Sequence, residues 1–71
     1  MKTKATIAFG KRVADLRKQI GITQEEFAFN CGINRTYIGE IERGEKNISL
    51  DYISKIANGL NIKLKDLFDY D

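Results

Sequence analysis

The sequence predicts an all-α fold: a compact domain of five short helices, the second and third joined by a tight turn. Three observations predict it. Apolar residues recur at helical steps of three and four, as in Phe9, Val13, Leu16 and Ile20. Glycines and polar capping residues cut the chain at short intervals, without a single proline. Nothing alternates with a period of two over more than a few residues, which leaves strands unsupported.

The elements follow in order. The first helix is expected from about Thr6 to Ile20, with Gly21 as its stop. Thr23-Gln24-Glu25-Glu26 then reads as a capping box, in which the Thr23 hydroxyl accepts from the Glu26 N–H and the Glu26 carboxylate reaches back to the Thr23 N–H. It starts a short second helix at Gln24 whose apolar face is Phe27, Ala28 and Cys31, ended by Gly32. Asn34 is a good N-cap for a third helix, Arg35 to Arg43, with Ile38 and Ile41 facing inward and Gly44 as terminator. Two short helices, a glycine at the turn and no room for a linker describe a helix-turn-helix over residues 23–44. After the loop Glu45-Lys46-Asn47-Ile48, Ser49 caps a fourth helix with the expected buried stripe Leu50, Ile53, Ile56, Ala57 and Leu60, broken at Gly59-Leu60-Asn61. A last short segment is expected to cover the core with Leu64, Leu67 and Phe68.

Size and composition narrow the possible functions. Seventy-one residues make one domain near the lower limit for a self-sufficient core, so pairing is a natural source of extra stability. With one cysteine, Cys31, and no histidine, the chain offers no internal disulfide and no four-ligand Cys/His metal set. Neither cofactor nor metal is expected. Cys31 itself reads as a core residue. No apolar run approaches the roughly 18 residues of a membrane span, and Met1-Lys2-Thr3-Lys4 opens a charged segment rather than a signal sequence. A cytoplasmic protein without membrane contact is expected. Residues 1–18 carry six cations against Asp15, a balance of +5, while six cations and nine carboxylates leave the remainder at −3. Such asymmetry suits a molecule with one face toward phosphates.

The first turn of the third helix concentrates the relevant chemistry. Arg35 has the fork geometry for guanine O6 and N7, and Thr36 offers a hydroxyl to a base or phosphate and a methyl to thymine. Gly39 leaves the side one turn further on without bulk, and Glu40 has the acceptors for a cytosine amino group. Gln24 opens the second helix, where free N–H groups and the helix dipole favour a phosphate.

Gly21-Ile22-Thr23-Gln24-Glu25-Glu26-Phe27-Ala28, with Gly32, Ile38 and Ile41-Glu42-Arg43-Gly44, resembles the Cro and phage-repressor helix-turn-helix family. The run Asn34 to Gly44 followed by Asn47-Ile48-Ser49-Leu50 is similar to the controller proteins of bacterial restriction-modification systems. The resemblance spans about residues 7–68. It implies a five-helix fold of the phage-repressor DNA-binding type and a transcription regulator that reads double-stranded DNA. Position by position, it implies base contacts from Asn34, Arg35, Thr36 and Glu40, and backbone contacts from Gln24, Tyr37, Arg43, Lys46 and Asn47. It also implies a structural ion pair between Arg17 and Glu42. Cys31, where many relatives carry a small inert residue, and the missing proline after helix three depart from the pattern.

One recognition helix reads only a few base pairs, so a two-fold dimer on a palindromic operator is expected, with the two reading helices about 34 Å apart. Tyr52, Leu60, Ile62, Phe68 and Tyr70, in the region 49–71, exceed what so small a core needs and are the expected interface. The bound dimer would repress by blocking RNA polymerase or activate by touching it. An antitoxin or protein-interaction module on the same fold is the alternative. Catalysis is disfavoured by the missing histidine and the lone, inward-facing cysteine.

Overall fold

The computed structural model describes residues 2–70. Met1 of the basic amino-terminal run and Asp71, the last residue of the expected dimerisation region, lie outside the described residues. Five helices follow one another: α1 (Lys4–Gln19), α2 (Gln24–Cys31), α3 (Arg35–Glu42), α4 (Leu50–Leu60) and α5 (Leu64–Leu67). Among the described residues there is no strand, as the periodicity predicts.

The caps decide where each helix begins. α1 starts two residues earlier than expected because Thr3 and Thr6 form a capping box: the Thr6 N–H donates to Thr3 Oγ1 at 3.1 Å and the Thr3 N–H to Thr6 Oγ1 at 2.8 Å. A threonine in place of the usual Glu or Gln at the third position hid that signal. α2 has the predicted box, with Glu26 N–H to Thr23 Oγ1 at 3.0 Å and Thr23 N–H to Glu26 Oε1 at 2.8 Å. Gly32 follows it with φ of +70°. α4 runs from the Ser49 cap through Gly59 to Leu60, and Asn61 takes the left-handed conformation that ends it. Gly59 lies within the helix for a packing reason, since a methyl group there would strike Cys31 Sγ on α2.

Val13, Phe27, Ile38, Ile41, Ile56 and Leu67 are the fully buried side chains, drawn from all five helices. α5 is tied down by the Phe9–Phe68 ring stack at 5.4 Å and by Arg12 Nη2, which donates to the Asp66 carbonyl at 2.6 Å. Several expected core residues are outside it. Leu50 is 82% exposed because it is the first residue of α4, where the helix overhangs its neighbours. Ile20 is the residue after α1 and is exposed. Leu64 and Phe68 flank a single helical turn, so only Leu67 between them is fully covered.

The orientation of α3 is set by its close approach to α1. A methyl on Gly10 would strike the Ile41 carbonyl oxygen and come within 2.8 Å of that of Glu42. Gly44, with φ of +78°, lies so close to Ile7 that a Cβ there would be 2.8 Å from its Cα. Thr6 Oγ1 donates to the Gly44 carbonyl at 2.8 Å. The amino-terminal half of α1 thus grips the last turn of α3 through backbone, and its first turn is left pointing away. Gly10→Ala should cost about 2–3 kcal/mol, the scale of overpacking a rigid contact, and lower the Tm by about 10–15 °C. Gly32→Ala, which faces open space and suffers only its left-handed conformation, should cost about 1 kcal/mol. Equal losses in thermal denaturation would contradict this picture of the α1–α3 contact.

Candidate nucleic-acid interface

The exposed amino end of α3 is built by its cap. Asn34 stands in extended conformation and its Oδ1 accepts from the Thr36 N–H at 2.8 Å, which leaves its amide N–H groups as the donors available to a ligand. Arg35 and Thr36 are exposed beside it. Ile38 and Ile41, three residues apart, anchor the opposite side of the helix in the core. Asn34, Arg35 and Thr36 therefore come together on one protruding turn.

The other expected contacts are more tightly held. Tyr37 is half-buried and meets Tyr52 of α4 edge-on, with ring centroids 5.1 Å apart. Lys46 Nζ lies 5.9 Å from the Tyr37 ring and 3.9 Å from Glu40 Oε2. Lys55 Nζ sits 5.0 Å from the Tyr52 ring on the far side. A row of cation, ring, ring and cation thus joins the loop, α3 and α4. Glu40 thus lies at ion-pair distance from a lysine, with its second carboxylate oxygen still able to accept. Arg43 is bound by Glu45 through Nε–Oε2 at 2.8 Å and Nη2–Oε1 at 3.2 Å. That hydrogen bond holds the Glu45 carboxyl below the usual range and raises the Arg43 guanidinium. Gly39 is buried because Arg43 and Gln24 lean over it: a Cβ built there would lie 3.1 Å from Arg43 Nη1 and 3.9 Å from Gln24 Oε1. The missing side chain leaves room for the Arg43 guanidinium, while Gln24 lies at ordinary contact distance. Asn47 is exposed in the loop after α3.

Behind this surface lies the Arg17–Glu42 pair. Arg17 Nε donates to Glu42 Oε2 at 2.6 Å and Nη2 to Oε1 at 3.0 Å, while Nη1 donates to the Ile22 carbonyl at 2.9 Å. The two side chains are only 12% and 6% exposed, so the guanidinium bonds the carboxylate bidentately in a largely dry site. Sequence reasoning did not find a third member: Gln24 Nε2 also donates to Glu42 Oε1, at 2.9 Å. Residues 24 and 42 are 18 apart in the chain, and no local spacing signals their contact.

The expected dimer residues divide. Leu60 is 5% exposed and belongs to the core, which corrects its assignment to an interface: it faces inward one turn beyond Ile56 and Ala57. Ile62 and Tyr52 are half-buried against the core, and Phe68 and Tyr70 are exposed. The largest apolar exposures belong to Phe29, which was given no role, at 87%, and to Leu50, expected in the core, at 82%. Phe29 was detectable, because it stands two places from buried Phe27 and cannot share its face. Burial pushes the Cys31 thiol from 9.0 up to about 11, leaving it a poor nucleophile.

This geometry has close counterparts. Residues 13–67 match the helix-turn-helix family. Control protein C.BamHI of Bacillus amyloliquefaciens is 42% identical over 99% of this chain and 88% of its own length. The crystal structure of the restriction-modification controller protein C.AhdI from Aeromonas hydrophila superposes with a TM-score of 0.90 at 41% identity, covering 93% of this chain and all of that one. The controller protein C.Esp1396I, solved as a tetramer with its natural 35 base-pair operator, gives a TM-score of 0.90 at 26% identity over 96% of this chain and 90% of that one. The chain belongs to the helix-turn-helix family. Within that family it stands with the control proteins of restriction-modification systems.

Arg17→Ala should destabilise the fold by about 3–5 kcal/mol, the cost of stranding a buried carboxylate without its cation. Urea denaturation measures it. A loss under about 1 kcal/mol would mean that Glu42 is solvated well enough to do without Arg17.

Proposed function

We propose that this protein is a sequence-specific DNA-binding transcription regulator, a homodimeric controller of restriction-modification genes acting in the cytoplasm on a palindromic operator. The observation that carries this reading is the protruding first turn of α3, with Asn34, Arg35 and Thr36 exposed on a helix otherwise gripped by α1. Arg35 and Thr36, with the remaining donors of Asn34, would read base edges in the major groove. Gln24, Tyr37, Lys46 and Asn47 would fix the frame on the phosphates, and Arg43 would join them by exchanging Glu45 for a phosphate. Glu40 would accept from a cytosine amino group, with Lys46 3.9 Å from one of its two oxygens. The operator-bound tetramer of C.Esp1396I supports the reading by analogy of fold and family.

A non-catalytic role accords with the absence of histidine and with the buried, protonated Cys31. Among the described residues no helix is long and apolar enough to cross a membrane. The pairing surface is best drawn from what is exposed. Leu50 and Ile53 are three residues apart and share a face of α4, and Ile53 lines one shallow cleft with Ile48, Phe68 and Tyr70. We place the dimer contact on this Leu50, Phe68 and Tyr70 surface.

Two measurements test the reading. Arg35→Ala should weaken operator binding by about 1–3 kcal/mol and relax base preference at one position in each half-site, whereas Lys46→Ala should weaken all duplexes alike. Selection of bound sequences from a random pool would show it, and an Arg35→Ala variant with unaltered preference would remove Arg35 from the reading set. For the dimer, Leu50→Glu should raise the dissociation constant at least about tenfold, since each subunit loses one buried leucine. Sedimentation velocity at tens of micromolar checks this, and an unchanged dimer would place the interface elsewhere.

A further inference from the structure

We infer that Glu42 is a positioning residue for DNA binding: its carboxylate fixes the Gln24 carboxamide so that one amide hydrogen points outward to a backbone phosphate. The inference rests on the reading of Gln24 as a phosphate contact and adds what holds it there. An ionised carboxylate only accepts hydrogen bonds. The end of the carboxamide that meets Glu42 Oε1 at 2.9 Å is therefore Nε2 and not Oε1. This chemistry selects one of the two flip states of Gln24.

Nε2 carries two hydrogens, and Glu42 takes one. The second diverges from it in the plane of the amide, away from the buried pair. It joins other donors at the start of α2. The capping box uses the N–H groups of Thr23 and Glu26, and the Phe27 N–H donates to the Thr23 carbonyl. The N–H groups of Gln24 and Glu25 have no partner among the described residues, as expected in a first helical turn. In the opposite flip state Oε1 would face Glu42, acceptor against acceptor.

Arg17 makes the arrangement compatible with a polyanion. An unneutralised carboxylate one side chain away from a phosphate would repel it. Two guanidinium hydrogen bonds on Glu42, at 2.6 and 3.0 Å, cancel that charge while leaving Oε1 able to hold the glutamine. Gly39 stands beside the site: a Cβ there would be in ordinary contact with the carboxamide, 3.9 Å from its Oε1, and tight only against Arg43 Nη1, at 3.1 Å. A pair needed for folding thus also orients a surface contact.

The test is a double-mutant cycle on operator affinity at fixed salt, with Gln24→Ala measured both in the natural chain and in a Glu42→Leu background, which has no acceptor at that position. In the natural chain Gln24→Ala should weaken binding about fivefold to tenfold, the scale of one lost hydrogen bond to a charged group. It should also lower the salt slope by about one. In the Glu42→Leu background the same change should weaken binding less than about twofold, because no acceptor remains there to orient the carboxamide. Any general attraction from uncovering Arg17 is common to both arms and cancels. An undiminished Gln24→Ala effect in that background would overturn the inference while leaving the phosphate contact intact. A Gln24→Ala protein that binds like the natural one would remove the contact itself, and the inference with it. Should Glu42→Leu fail to fold, the natural protein still decides by nitrogen-15 NMR. One proton of the Gln24 side-chain amide should be displaced from its position in free glutamine by the Glu42 hydrogen bond, and the other should move on adding operator duplex; a pair at the free-glutamine positions that the duplex leaves unmoved would overturn the assignment.

Discussion

The buried carboxylate of Glu42 is the group on which the arrangement of the three amino-terminal helices depends. It closes α3, receives two hydrogen bonds from α1 through Arg17 and one from α2 through Gln24. A charge that is 6% exposed tolerates little movement of its partners, because each lost hydrogen bond leaves part of it uncompensated in a poorly solvated site. Around it the contact between α1 and α3 is one of backbone rather than side chains. Gly10 and Gly44 allow an approach that methyl groups would prevent, and the Thr6 hydroxyl closes it. The carboxyl end of α3 is consequently fixed on all sides, and its amino end is the part left to protrude.

This division explains how a helix of eight residues serves as a rigid probe. Isolated helices so short are unstable in water, and α3 has only one side-chain cap, from Asn34. Its order comes from Ile38 and Ile41 in the core and from the clasp at its far end. The surrounding cations are ordered as well, Arg43 by Glu45, and Lys46 by Glu40 and the Tyr37 ring. Ordering long side chains before a ligand arrives lowers the entropy lost on binding.

Much of this was legible in the sequence because it is local. The Thr23 box, the Asn34 and Ser49 caps and the glycines after α2 and α3 are signals within four residues, and they placed α2 to within its observed ends. The Arg17–Glu42 pair came from the family resemblance, since its partners are 25 residues apart and no spacing rule connects them. Failures had three physical sources. A helical stripe does not say where a helix overhangs its neighbours, so Leu50 and Ile20 read as core and stand outside it. Surplus apolar residues do not say which of them the fold itself consumes, so Leu60 read as interface and lies in the core. Gly59 shows a third limit: it reads as a helix breaker, and it is instead the point at which α4 touches Cys31.

The central claim, that the protruding turn of α3 is the surface presented to duplex DNA, is tested most directly by mapping backbone amide shifts while titrating the protein with an operator duplex. The account predicts the largest changes at residues 34–37, with a second group at residues 24 and 43–47 and little change at Phe29 or in α5. Large shifts centred on Phe29 or on α5, with residues 34–37 unmoved, would contradict it.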